Sequence, residues 1–384
     1  MTQKIIPTVT TVGQLKAALK RVTTATGAKS AIFIVDSDGL RVEAATAGGY
    51  ASVKVPNTGP IGNSCEAEID ASLVNVLLTG EEHDTALTVT SDDRGARIRY
   101  ARASLLLKKP TTYIEGLFPN RHRKMTRSTI VTLTGQELSL AAESATTFMA
   151  TKDMRYFLCG VHLMSRDGKL VLEATDGFAM HANITNHALD NDLNVIIPHN
   201  CAEAMISVFE PDEVITIEKL GTTLLGFKTE KMYWVSNLIE GLFPECERLF
   251  TDETRSSEEG IEVVLSRRSL AAAINRVASV SGKEGNYLKM EFMAENVVIS
   301  SLDDEQKDLV PVHSIKGSAA GLALHCSFSS AVLGNSLDGV PSEFVMFRKG
   351  QSVDSKIFIR QASREGDTWN SSPNWKAVVM PSRA

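Results

Sequence analysis

Few residues in this sequence sit in a pattern that could do chemistry. Asp303-Asp304-Glu305, and Asp176 next to Gly177, are carboxylates of the kind that hold a divalent metal, and His162 could act as a base. Each has a plainer reading. Acids in hairpin turns far outnumber metal ligands, and a histidine inside an apolar strand pattern more often packs than reacts. Catalysis needs a convergent set of nucleophile, base and charge-stabilising donors. No Walker A, His-Glu-x-x-His or Gly-x-Ser-x-Gly pattern supplies one. The five cysteines (Cys65, Cys159, Cys201, Cys246 and Cys326) are odd in number and include no Cys-x-x-Cys pair, which argues against a disulfide framework or a zinc knuckle. No catalytic residue, metal or cofactor is expected.

Charge offers more. Forty basic residues stand against 46 acidic ones, a net charge of −6. A protein that grips nucleic acid through a simple basic surface is normally basic overall. If this chain touches DNA, its cations must be gathered on one surface while the rest stays acidic. At 384 residues, 43% hydrophobic and 22% charged, it has the composition of a globular chain of two or three domains. No apolar run approaches the ~20 residues of a membrane span, and residues 1–7 lack the apolar core of a secretory signal. A cytosolic protein with no membrane partner is expected.

The elements that must position any site recur three times. Thr11-Val-Gly-Gln14 reads as a capped helix start, followed by Leu15, Ala18, Leu19 and Val22 on one helix face. The pattern returns at Thr134 with Leu138, Ala141, Ala142, Ala145 and Phe148, and at Ser266 with Leu270, Ala273, Ile274 and Val277. The caps lie 123 and then 132 residues apart. Each helix precedes a predicted β-hairpin, turning at Asp36–Gly39, Arg166–Gly168 and Ala294–Asn296. A second helix is then predicted over residues 71–78, 201–209 and 328–337. Ile114-Glu-Gly-Leu-Phe-Pro119 and Ile239-Glu-Gly-Leu-Phe-Pro244 are identical at an offset of 125. Such periodicity marks tandem units. Three α+β domains are expected, over residues 1–125, 126–252 and 253–384, each with two helices packed on β-sheet.

The middle unit also carries Arg155-Tyr-Phe-Leu158, Gly160 and Leu172-Glu-Ala-Thr-Asp-Gly177. With Gly241-Leu-Phe-Pro244 and the terminal Val378-Val-Met-Pro-Ser-Arg383, the whole chain resembles the bacterial β sliding clamp, the DNA polymerase III subunit that confers processivity. The resemblance is clearest in the middle unit and the terminal strand, and weakest in the first unit. It implies two three-domain protomers joined head to tail into a six-domain ring. Helices would line a central hole for double-stranded DNA, held without regard to sequence. DNA polymerase and clamp-loader subunits would dock through short linear peptides, and the clamp itself would catalyse nothing.

A ring would also resolve the charge paradox, since helices lining it would bury one stripe and offer cations on the other. Candidates for facing DNA are Lys16, Lys20, Arg21 and Lys29 with the first helix, Lys152 and Arg155 after the third, and Arg267, Arg268, Arg276 and Lys283 with the fifth. The third helix carries Glu137 and Glu143 instead. Glu137 is explained if the cap uses it.

By resemblance, the partner-peptide pocket comprises Leu158, Thr175, Gly177, Phe178, Met180, Pro244, Arg248, Leu249 and the strand residues Val378, Val379, Met380, Pro381, Ser382 and Arg383. The same resemblance would place dimer contacts near Leu105 and Val280. Two departures stand out: Phe178-Ala179 where the family usually has His-Arg, and an ending of Ser382-Arg383-Ala384 in place of larger apolar residues. They point to a divergent clamp, with phage or plasmid origin left open. A rival reading keeps the fold without the ring, as a clamp-like decoy that binds polymerase peptides.

Overall fold

The computed structural model describes residues 8–58, 64–70, 82–92, 94–110, 118, 121–251, 253, 256, 259–317 and 324–382. The chain divides into two compact units. One takes in Met1–Ser139, Leu189–Asp192 and Asn200–Ile239; the other takes in Leu140–Ala188, Leu193–His199 and Glu240–Ala384.

The repeated helices begin where the sequence predicts. In α1 (Val12–Thr26), Thr11 Oγ1 accepts from the Gln14 amide and Gln14 Oε1 accepts from the Thr11 amide, both at 3.2 Å. That reciprocal cap satisfies two of the orphan donors of a helix start. Leu15, Ala18, Leu19 and Val22 are buried, and the helix packs on β3 (Gly39–Thr46) and β4 (Gly49–Val55). After a short turn of helix, α2 (Arg121–Lys124), α3 (Gly135–Thr146) is capped by Thr134 and Glu137. Glu137 Oε2 accepts from the Thr134 amide and hydroxyl, each at 2.8 Å, so its charge is used in the cap. In α5 (Arg267–Val280) the Ser266 hydroxyl accepts from the Ser269 amide at 3.3 Å, and Leu270, Ala273, Ile274 and Val277 are buried.

The second helices differ from expectation at their ends. α4 (His199–Met205) stops short of Phe209, and turns follow before Pro211, which cannot continue a helix. α6 (Ser330–Asp338) starts two residues late: Phe328 remains in strand β21 (Leu324–Ser329), opposite Leu288, and Ser329 caps the helix by accepting from the Val332 amide at 3.4 Å. Residues 71–78, and the 114–119 copy of the hexapeptide except Phe118, lie outside the described residues.

The first unit holds an antiparallel sheet in the order β5 (Cys65–Asp70), β2 (Ser30–Asp36), β3, β4, β16 (Met232–Asn237), β15 (Leu224–Lys228), β14 (Val214–Leu220), β9 (Arg127–Thr134). A four-stranded sheet in the same unit runs β1 (Thr8–Thr11), β6 (Ala86–Asp92), β7 (Gly95–Tyr100), β8 (Ala103–Lys108). The second unit has one sheet of twelve described strands. Its order is β13 (Asn194–Pro198), β10 (Gly160–Arg166), β11 (Lys169–Thr175), β12 (Ala179–Ala188), β24 (Thr368–Val379), β23 (Ile357–Glu365), then β22 (Phe344–Lys349), β17 (Ile261–Ser266), β20 (Lys307–Lys316), β19 (Asn296–Ser301), β18 (Tyr287–Phe292), β21.

All three predicted hairpins form, as β2–β3, β10–β11 and β18–β19. Two long-range pairs join strands of different repeats: β4 with β16, and β12 with β24. The middle repeat therefore gives β9 and β14–β16 to one unit and β10–β13 to the other. The class is α+β, as expected. No helix among the described residues is long and apolar enough to cross a membrane.

Candidate partner-binding surface

Four segments of the second unit build the surface. The turn between β11 and β12 comes first. Thr175 Oγ1 donates to the Ala179 carbonyl at 2.6 Å and accepts from the Gly177 amide at 3.0 Å. Asp176 Oδ1 accepts from the amides of Phe178 (2.8 Å) and Ala179 (2.7 Å). Asp176 is thus a turn acid, and Gly177 completes the turn at φ 92°, a backbone region that favours glycine. The tight turn pushes Phe178 outward, leaving it 64% exposed.

The turn is flanked by the C-terminal strand and by residues 154–158. Ala179 and Met180 pair with Val379 and Val378, and the Met380 amide donates to the Phe178 carbonyl at 2.9 Å. The Ser382 amide then donates to the Ser327 carbonyl at 2.8 Å, so the tail reaches the outer strand β21. Pro381 is half-buried, and Arg383 lies outside the described residues. On the other flank Leu158 is buried at the end of a 3-10 turn, with Met154 99% and Tyr156 59% exposed beside it. A side chain at Gly177 would stand 2.8 Å from Arg155 Nη2. Arg155, predicted to face DNA, is therefore set against the turn with the pocket residues. Its guanidinium binds Asp153 at 2.7 and 3.0 Å and holds that carboxyl down at about 2.

Residues 241–250 form the fourth wall. A side chain at Gly241 would stand 3.2 Å from Phe157 Cβ, so this segment closes directly on the 154–158 turn. Leu242 is 91% exposed, Pro244 and Arg248 are exposed, and Leu249 and Phe243 are half-buried. Phe243 and Leu249 pack on a buried cluster of Met180, Ala182, Cys246, Phe250, Phe358 and Val378. The Cys246 thiol donates to the Pro244 carbonyl at 3.2 Å, and burial pushes it up to about 12, which makes it a packing group and no nucleophile.

Charge buried beneath the surface fixes that wall. His162 stacks on Phe243 with ring centroids 4.7 Å apart. Its Nδ1 lies 3.3 Å from Glu173 Oε2, and its Nε2 lies 3.0 Å from Asn194 Oδ1. Arg166 donates to Glu173 at 2.5 Å and to Glu247 at 2.8 Å, and Lys376 donates to Glu247 at 2.7 Å with its Nζ 4.4 Å from the Phe250 ring centre. Burial alone would raise the Glu173 carboxyl, but the His162 and Arg166 contacts outweigh it and the net shift is downward. His162 is a packed histidine, as its strand position implied. The acids at 303–305 also serve a turn: Asp303 accepts from the Glu305 amide, and Asp304 binds Lys289 at 2.8 Å.

The arrangement offers no reaction. It presents Met154, Tyr156, Phe178, Leu242 and the outer edge of Met380 to solvent over a locked base, which suits capture of an extended apolar segment. Sequence reasoning missed Met154, Tyr156 and Leu242. The repeated Gly-Leu-Phe-Pro run was the available signal for Leu242.

Comparison with known proteins agrees with this architecture. Residues 132–245 match the model of the DNA polymerase III beta subunit, central domain. Beta sliding clamps of Vibrio cholerae (24% identical) and Staphylococcus aureus (22%) align over 64% and 60% of this chain. The aligned stretch spans about three fifths of each relative, 61% in both. In fold, a DNA polymerase sliding clamp from Pseudomonas aeruginosa matches with a TM-score of 0.79 at 20% identity, covering 98% of this chain and 100% of that one. The beta subunit from Streptococcus pyogenes matches at 0.80 and 18%, covering 99% and 100%. The chain has the fold of the bacterial sliding clamps, and its residues 132–245 match the central domain of the polymerase III beta subunit.

The remaining candidate cations fall into two groups. Lys20, Lys29, Lys152 and Arg268 are exposed, and Lys16 is half-exposed. Arg21 is not available in the same way: its side chain is 12% exposed, it binds Glu213 at 2.7 and 3.0 Å, and it lies 5.8 Å from the Phe209 ring centre. Arg267 donates to the Ser342 carbonyl at 3.0 Å, and Arg276 to Asp308 at 2.6 Å. Lys283 sits in the 3-10 turn Gly282–Asn286, and its side chain lies outside the described part. Leu105 is half-buried on β8, an edge strand, and Val280 is exposed at the end of α5.

Proposed function

We propose that this chain is a DNA sliding clamp, a processivity subunit with no reaction of its own. It encircles double-stranded DNA in the cytoplasm as a head-to-tail homodimer and tethers DNA polymerase and loader subunits through short peptides. The three repeats, residues 1–125, 126–252 and 253–384, would make six around the closed ring. The observation that carries this reading is the match of nearly the whole chain to complete clamp structures, 98% of one against 100% of the other. The match of residues 132–245 to the polymerase III beta central domain supports it.

In this reading Lys16, Lys20, Lys29, Lys152, Arg268 and Lys283 make sequence-independent phosphate contacts. Arg21, Arg267 and Arg276 serve the fold, and Arg155 serves the peptide surface. Leu105 and Val280 lie at the contact between protomers. Phe178 and its neighbours receive the partner peptides.

The test has two steps. Light scattering over a dilution series should give a dimer that persists at low concentration. Loaded onto nicked circular plasmid by a clamp loader with ATP, that dimer should be retained in salt that strips ordinary phosphate contacts, and released when the plasmid is linearised. A chain that is monomeric at micromolar concentration, or held equally by linear DNA, overturns the ring.

A further inference from the structure

Apolar and charged groups stand side by side on the surface around Phe178. The exposed carboxylates are Glu240 next to Gly241 and Glu245 next to Pro244; Asp176 in the turn and Asp153 beside Arg155 are half-buried. The cations there are Lys152, Arg155 and Arg248. Arg155 is already held by Asp153, and Arg248 Nη1 lies 4.0 Å from Glu245. Glu247 is engaged by Arg166 and Lys376. Glu240 makes no ion pair among the described residues.

An incoming acidic segment would therefore meet these carboxylates, with Arg155 committed to Asp153 and with Lys152 and the loosely paired Arg248 to receive it. An incoming cation would meet Glu240, the exposed and loosely paired Glu245, and the remaining oxygen of the half-buried Asp176, together with the rings of Tyr156 and Phe178, whose faces attract Lys and Arg.

We infer that the segment this surface takes is a short peptide with large apolar anchors and lysine or arginine beside them. The inference rests on reading this surface as the partner-binding site, and the experiment separates the two. A random ten-residue library displayed on phage is panned against the full chain, and in parallel against Phe178→Ala/Leu242→Ser, with circular dichroism confirming that both are folded. Enrichment that the variant abolishes, in sequences with more Lys and Arg than Asp and Glu next to their apolar anchors, is the expected result. Enrichment that the variant abolishes, in acidic or charge-neutral sequences, overturns the inference and leaves the site standing. Enrichment that the variant does not change, or none at all, overturns both.

One enriched peptide, synthesised with a fluorescent label, then gives the electrostatic share. Glu240→Lys/Glu245→Lys should weaken its binding about five-fold, the scale of two exposed charge pairs, and added salt should erase most of that difference. Unchanged or tighter binding by this variant overturns the inference.

Discussion

The base of the Phe178 surface and the cation-bearing helix faces use charge in opposite ways. Beneath and at the edge of the surface, Glu173, Arg166, Lys376 and the more exposed Glu247 are tied to one another with bonds of 2.5 to 2.8 Å, and Glu173 is almost fully buried. On α1 and α5, Lys20 and Arg268 stand in solvent. Buried charges hold position at the cost of desolvation, and removing one partner strands the other. Solvated single charges hold nothing in place, but they remain available to phosphates. The difference implies that mutation should unfold the first region and leave the second folded but altered in binding.

The largest effect should come from Glu173→Ala. It leaves Arg166 without a buried partner and His162 without its anchor, at a cost of about 3–5 kcal/mol. The effect should appear as a lower denaturation midpoint with an unchanged slope in urea. A cost below ~1 kcal/mol, the range of exposed pairs, would mean that the network is solvated and would break the comparison at its first limb.

Next in size is acid sensitivity, also a property of the packed side. His181 is fully buried between Phe148 and Trp375, its Nδ1 3.2 Å from the Lys376 carbonyl and its Nε2 without a hydrogen-bond partner. Burial lowers it from 6.5 to about 3. The unfolded chain therefore takes up this proton first as pH falls, and stability drops between about 6.5 and 3. Glu173 adds to the fall lower down, since its depressed carboxyl stabilises the fold above its ordinary value of 4.5 and ceases to do so as it is protonated. His181→Phe should flatten the upper part of that fall, in thermal melts collected across the range. Equal slopes for variant and parent would assign the acid sensitivity to other groups.

Much of the packed side was legible beforehand. Thr11 with Gln14, and Thr134 with Glu137, announced their caps; the apolar spacing after each announced the buried face; and the turn acids announced the hairpins. These are local signals, carried by residues three or four apart. The joining of β4 to β16 and of β12 to β24 left no such trace, because backbone pairing across some 180 or more residues asks little of side-chain identity. The same limit explains Arg155 and Arg21. Their positions on or just after predicted helices marked them as DNA-facing cations, while their partners, the Gly177 turn and Glu213, lie close only after folding. Met154 and Tyr156 were overlooked because an exposed apolar residue has no local signature until its neighbours are known.

A third prediction takes the exposed apolar face alone. Phe178→Ser removes a ring that is mostly in solvent, so the melting temperature should hold within a degree or two, while a surface-dependent peptide should bind about ten-fold or more weakly in anisotropy titrations, the scale of an aromatic anchor. Equal binding would move the centre of recognition to Tyr156 and Leu242. A large fall in stability would place Phe178 with the locked base instead of above it.

The smallest effect belongs to the solvated cations and sharpens the comparison most. Removing one cation from a phosphate should lower the slope of log affinity against log salt by roughly 0.9, and each such cation contributes little alone. Lys20→Gln with Arg268→Gln should therefore reduce that slope by about two, with no change in thermal stability. Arg21→Gln makes the opposite prediction. It breaks the bonds from Arg21 Nη2 to both carboxylate oxygens of Glu213 and the packing on Phe209, so it should cost stability and leave the slope unchanged. If Arg21→Gln moves the slope and the double variant does not, the division between locked and free charge has been drawn through the wrong residues. The measurement weighs net charge as well: at −6 overall, a chain that still shows a steep salt slope must concentrate its cations where the phosphates lie, and the pair of variants shows whether α1 and α5 supply them.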